Sequence, residues 1–131
     1  MIIGYYAGLL GLLFIVLTAR IIRLRWKLRV GIGDGGEHIL NKAIRVQSNF
    51  VEQVPLALLL IYLVEMQMSN IVLLHGLCSA LLIGRVLHAF GLSKTSKTSF
   101  GRFVGMILTL SVTLVASLLL IYSYLKSNHI F

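Results

Sequence analysis

The chain has 131 residues, room for one domain, and 58% of them are hydrophobic against 12% charged, with a mean hydropathy of +0.94. Soluble domains carry about 25% charged residues, so too few polar side chains are present to cover a water-exposed surface, and lipid or partner subunits must cover it. A formal charge of +8 would suggest nucleic acid on a soluble protein, but here the basic residues sit between apolar segments, where topology and anionic lipid account for them; the single cysteine, Cys78, excludes an intrachain disulfide.

The first apolar segment runs from about Ile2 to Ile22 and is uncharged until Arg20. A secretory signal has its positive charge before the apolar stretch. This segment has it afterwards, so it reads as a retained anchor. The first loop carries Arg20, Arg23, Arg25, Lys27, Arg29 and Lys42 around Gly31-Ile32-Gly33-Asp34-Gly35-Gly36, which reads as a flexible turn. The glycines do not make a dinucleotide fingerprint, which needs a preceding strand inside a βαβ unit.

Segment two covers about Ala43 to Glu65 and segment three about Ile71 to Phe90. The short polar loop between them requires antiparallel packing. Cys78, inside segment three, reads as a buried or lipid-facing small residue. After a Ser/Thr/Lys-rich loop, Ser93 to Arg102, segment four covers about Phe103 to Leu125. Each segment is near the ~20 residues needed to cross a bilayer core. The expectation is one all-α membrane domain over 1–131, with helices at about 2–26, 37–66, 70–92 and 101–125. Gly4/Gly8 and Gly101/Gly105 have the spacing that lets helices approach closely. Lys and Arg concentrate in loops one and three, the latter with Lys94, Lys97 and Arg102. The positive-inside rule then puts those loops in the cytoplasm and both termini outside.

The informative residues are the polar ones at membrane depth, where charge is costly and faces a bundle interior or cavity. Arg45, Asn49 and Glu52 fall within roughly 60° of one another on a helix, at the cytoplasmic end of segment two. Pro55 follows and removes a backbone hydrogen bond. Arg85 and His88 share a face at the cytoplasmic end of segment three. Arg23 and Arg102 stand at the same level. Net positive charge at one depth suits an anionic ligand, and arginine forks suit carboxylates. Two blander readings stay open: Arg45 and Glu52 as a structural ion pair, and Arg85 and His88 reaching for headgroups. His75 and His129 read as structural or solvent-exposed. No set has metal-ligand spacing.

Arg45-x-x-x-Asn49-x-x-Glu52 followed by Pro55, the Arg23-Leu24-Arg25 run, Arg85-x-x-His88 and the basic third loop resemble the MAPEG family, membrane-associated proteins in eicosanoid and glutathione metabolism. The resemblance covers essentially the whole chain. Gly33-Asp34-Gly35-Gly36 before an Ala-Ile-Arg segment is most similar to the bacterial inner-membrane branch. It implies a left-handed transmembrane four-helix bundle, a homotrimer, and glutathione held between subunits near the cytoplasmic face. By position, Arg23, Arg45, Asn49, Glu52, Arg85 and His88 would bind glutathione, with the arginines on its carboxylates and Glu52 on its amino group or on Arg45. Arg102 would be catalytic, lying nearest the sulfur and favouring thiolate. The implied activity is that of a glutathione S-transferase or peroxidase acting on lipophilic electrophiles, with glutathione as co-substrate and no metal. The partners would be a second and third copy of the chain, membrane lipid and a lipophilic small molecule.

The chain departs from the family pattern at Leu92, where several catalytic members have tyrosine, and at Gln47 and Ser48, where some have His and Arg. Ser93, Thr98 or Ser99 could supply the missing hydroxyl. The alternative reading is a non-catalytic lipid-binding or scaffold protein on the same fold. A transporter is disfavoured because the polar layer lies at one end of the spans and a transport path needs polar groups near the midplane.

Overall fold

A computed structural model describes residues 1–94 and 99–128, without the side chains of 92–94. Lys97, Thr98 and His129 lie outside the described residues, as do the side chains of Leu92, Ser93 and Lys94. Four α-helices follow in order: α1 (Ile2–Leu28), α2 (His38–Gln67), α3 (Ile71–Lys94) and α4 (Phe100–Ser127). Each is long and apolar enough to cross a membrane. At 1.5 Å per residue, the 27 residues of α1 reach about 40 Å. That exceeds the ~30 Å hydrocarbon core, so α1 carries its basic run beyond the core while still helical.

The buried positions explain why the helices pack as a bundle. On α2 they include Phe50, Val54, Ala57, Ile61 and Val64, and on α4 they are Gly105, Thr109, Val112 and Ala116. On α1, Ile3, Leu10 and Leu17 stand one heptad apart. Spacing of four and three residues is the seam of a left-handed bundle. The seams of α1, α2, α3 and α4 merge into one apolar core. The opposite faces are apolar too: Leu12, Ile15, Val16, Leu59, Val72 and Leu114 are exposed, as expected for an all-α membrane bundle.

α3 and α4 form the closest pair, and glycine is the reason. A Cβ added at Gly105 would collide with the carbonyl oxygen of Gly84 and the backbone nitrogen and Cβ of His88, and one at Gly91 would lie 2.6 Å from the Arg102 nitrogen. By contrast, a Cβ at Gly4 or Gly8 would meet nothing within 4 Å. Of the two glycine pairs with contact spacing, only Gly101/Gly105 is used within the bundle.

Polar side chains join the helices at both ends. Glu65 lies near the C-terminal end of α2. Its carboxylate accepts from the N–H groups of Ile2 and Ile3, where it complements the positive end of the α1 dipole. Tyr6 Oη and His75 Nδ1 are 3.0 Å apart, a structural tie. Asn70 caps α3 through Leu73 N–H, 3.0 Å, and Ser99 caps α4 through Arg102 N–H, 3.3 Å. The glycine-rich turn of loop one is pinned, contrary to the flexible turn expected. Arg25 donates to the carbonyls of Gly33 (2.9 Å) and Val30 (3.3 Å). The side chain of Asp34 accepts from Gly36 N–H and from Asn41. Gly35 has φ 58° and packs on Val30, so no larger residue fits there.

Two outcomes follow. Gly105→Ala should cost about 1–3 kcal/mol by overpacking, read as a lowered unfolding temperature in detergent, while Gly8→Ala, which meets nothing, should not lower it. The Gly36 N–H and the Asn41 amide hold the Asp34 carboxyl below its ordinary value of 3.8. Its stabilisation is therefore present above pH about 4 and lost as pH falls through the lowered folded value. Amide exchange in residues 33–37 should speed up on that acid limb and show no such step in Asp34→Asn.

Candidate functional site

Arg85 is buried inside the bundle, toward the end that carries loops one and three, with 1% of its surface exposed. No carboxylate meets it among the described residues. Its partners are neutral and come from three helices: Asn49 Oδ1 on α2 at 2.7 Å, His88 Nδ1 on α3 at 3.3 Å, and Thr109 Oγ1 on α4 at 3.5 Å. The guanidinium carbon lies 6.0 Å from the centre of the Phe50 ring, a cation–π distance. Its Nε is buried with no hydrogen-bond partner, at a cost of about 1–3 kcal/mol. A buried guanidinium without a countercharge is held only because several dipoles converge on it.

Asn49 and His88 form the boundary between that buried layer and a cleft of about 300 Å³. Lys42, Arg45 and Arg102 also line it, with Asn41 and Met106 at its edges. The cleft therefore holds three permanent cations, and among the described residues no carboxylate lines it. α2 supplies Asn41, Lys42, Arg45 and Asn49 along one face, and the glycine seam presses α3 and α4 together so that His88 and Arg102 meet the same space. Among the described residues no group of three His, Cys, Asp or Glu side chains could hold a metal ion.

Of the residues singled out in the sequence, Arg45, Asn49, His88 and Arg102 share this cleft, and Arg85 lies behind its wall. Arg23 and Glu52 do not line it. Both are exposed on the outer surface of the bundle, Arg23 beside Arg20 along α1. Cys78 is buried in the core. Gln47 is turned away toward α1, where its Nε2 donates to Thr18 Oγ1 at 2.6 Å. The Ser99 oxygen is committed to the α4 cap.

Sequence reasoning missed Lys42, counted only as loop charge, and Thr109. Thr109 is 0% exposed and donates to the Gly105 carbonyl at 2.9 Å. Its position four residues after Gly105, on the glycine seam, was the available signal. An apolar groove of about 350 Å³ lies nearby between α1 and α2, lined by Phe14, Phe50, Val51, Val54, Pro55 and Leu58 among others. Phe50 thus separates the cationic layer from an apolar surface.

Thr109→Val removes the hydroxyl from beside Arg85 and leaves that guanidinium still less satisfied. The expected loss is about 1–3 kcal/mol of stability, measured by thermal unfolding in detergent; Thr113→Val, whose hydroxyl bonds only the Thr109 carbonyl of its own helix, should lose much less.

Comparison with known proteins gives a consistent result. The model of the MAPEG family matches residues 3–122. The chain is 37% identical over 91 residues to the inner membrane protein YecN of Escherichia coli strain K12, covering 70% of each chain. The protein of the same name from Escherichia coli O6:H1 matches to the same extent.

Proposed function

The chain belongs to the MAPEG family, and from that premise we propose that it binds glutathione in the basic cleft and acts as a glutathione S-transferase or peroxidase on lipophilic electrophiles. The observation that carries this reading is the lining of the cleft: Lys42, Arg45 and Arg102 with Asn49 and His88, and no carboxylate among the described residues. Glutathione brings two carboxylates, one ammonium group and an ionisable thiol. Two of the cations can hold the carboxylates as charge-assisted hydrogen bonds. The third, Arg102, remains for the sulfur and lowers the cost of thiolate. The thiolate lone pair then forms a sulfur–carbon bond with the electrophile, and the leaving group departs with its bonding pair. The apolar groove beside Phe50 gives the co-substrate a place to lie within lipid.

A homotrimer completes the picture. Arg23 and Glu52 lie on the outer surface, where a neighbouring subunit's cleft can reach them, and Glu52 would then meet the ammonium group. The relatives are named as inner membrane proteins, and the basic first and third loops favour an inner-membrane location with both termini periplasmic and the cleft on the cytoplasmic side.

A second reading is a non-catalytic lipid-binding or scaffold protein on the same fold. Leu92, where several catalytic family members have tyrosine, favours it. So does Gln47, which ties α2 to α1 and does not face the cleft.

The deciding experiment adds glutathione to the purified protein in detergent and records thiolate absorbance and turnover of a generic aryl halide. The transferase reading expects both, and expects Arg102→Leu to keep bound glutathione while losing the thiolate band. Neither signal in the native protein, with lipid co-purifying, favours the second reading. Glu52→Gln should weaken glutathione binding by about 2–5 kcal/mol if its charge is paired and desolvated at a subunit interface; native affinity in calorimetry would place Glu52 outside the site.

A further inference from the structure

Arg85 does not line the cleft, yet it dictates what the cleft wall can bind. A guanidinium has five N–H donors and no acceptor. Any atom that bonds it must therefore accept. Asn49 meets it at 2.7 Å, so the carboxamide oxygen is the atom turned inward, and the NH₂ edge is left for the cleft. His88 meets it through Nδ1 at 3.3 Å. Nδ1 must keep its lone pair, so the single imidazole proton sits on Nε2, the nitrogen left for the cleft. A second proton on Nδ1 would set one N–H against another on a cation. Thr109 is committed in the same sense, because its hydroxyl hydrogen is given to the Gly105 carbonyl.

We infer that Arg85 is a positioning residue that fixes the His88 tautomer and the Asn49 amide orientation, making this wall of the cleft a donor-only surface that accepts carboxylate or thiolate and turns ammonium away. Asn and His are amphoteric side chains. Without Arg85 either could rotate and offer an acceptor. With it, Asn49 and His88 present donors to the cleft beside the cations Lys42, Arg45 and Arg102, while Asn41, which also lines it, gives its NH₂ to Asp34. For glutathione, the identification of which rests on the function proposed above, a carboxylate lies against Asn49 and His88. The ammonium group must face away, toward the side where an acid such as Glu52 can reach it.

Two measurements test this. The first uses ligand-free protein labelled with ¹⁵N-histidine in micelles, with the His88 signals identified by their absence in His88→Gln. The expected result is a proton on Nε2 and none on Nδ1; a proton on Nδ1 overturns the inference. The second uses Asn49→Asp, which keeps the side-chain shape but offers only acceptors. An aspartate there gives Arg85 a countercharge, so the unfolding temperature should rise. Glutathione binding should nevertheless weaken about ten- to a hundredfold, the scale of a lost charge-assisted hydrogen bond. A merely structural role for Asn49 would let affinity follow stability, and native affinity in the aspartate variant overturns the inference. Should native protein bind no glutathione, the proposed function falls, while the histidine tautomer still decides this question by itself. Should glutathione bind with the proton on Nδ1, the inference falls and the proposed function stands.

Discussion

A buried positive charge that meets no carboxylate among the described residues is the constraint around which one end of this bundle is organised. Removing an isolated ion from water costs several kcal/mol even after the protein relaxes. Arg85 escapes that cost only in part, through a carboxamide, an imidazole, a hydroxyl and an aromatic face drawn from three helices. The three hydrogen-bonding groups among these are fixed in orientation by the same requirement, because the guanidinium can only donate.

The glycine seam between α3 and α4 is what makes that coordination reachable. Gly84 and Gly105 let the two backbones touch, which brings Thr109 into range of Arg85 and sets Arg102 beside the space that His88 lines. Arg85 lies next to Gly84 in the chain, and His88 lies one turn further on. The close approach, the buried charge and the cleft are therefore successive turns of one interface. The far end of the bundle uses different means: a carboxylate on a helix N-terminus and a tyrosine–histidine pair hold α1 against α2 and α3.

The cationic cleft and the apolar groove are separated by the side chain of Phe50, adjacent in sequence to Asn49. That adjacency puts a charged surface and an apolar one within one residue on α2, which is the juxtaposition that the proposed reaction between a water-soluble thiol and a membrane-dissolved electrophile would use.

Four helices, their order, their membrane-spanning character and the depth at which polar residues gather were legible in the chain alone. They depend on local quantities, hydrophobic run length and helical periodicity, and neither needs knowledge of neighbours. The resemblance carried by Arg45, Asn49, Glu52, Arg85 and His88 pointed to the family for a similar reason: the motif lies on single helices. What each polar residue faces was decided by tertiary packing. In a membrane, surfaces that face lipid and surfaces that face protein are equally apolar, so pattern could not tell that Gly105 is pressed against α3 while Gly8 faces open space. Nor could it tell that Arg85 lies behind the wall and Lys42 in front of it, that Thr109 belongs to the layer, or that Glu65 caps a helix sixty-odd residues away. Those facts depend on which sides of four helices meet, and the apolar periodicity that builds the helices carries too little directional information to specify it.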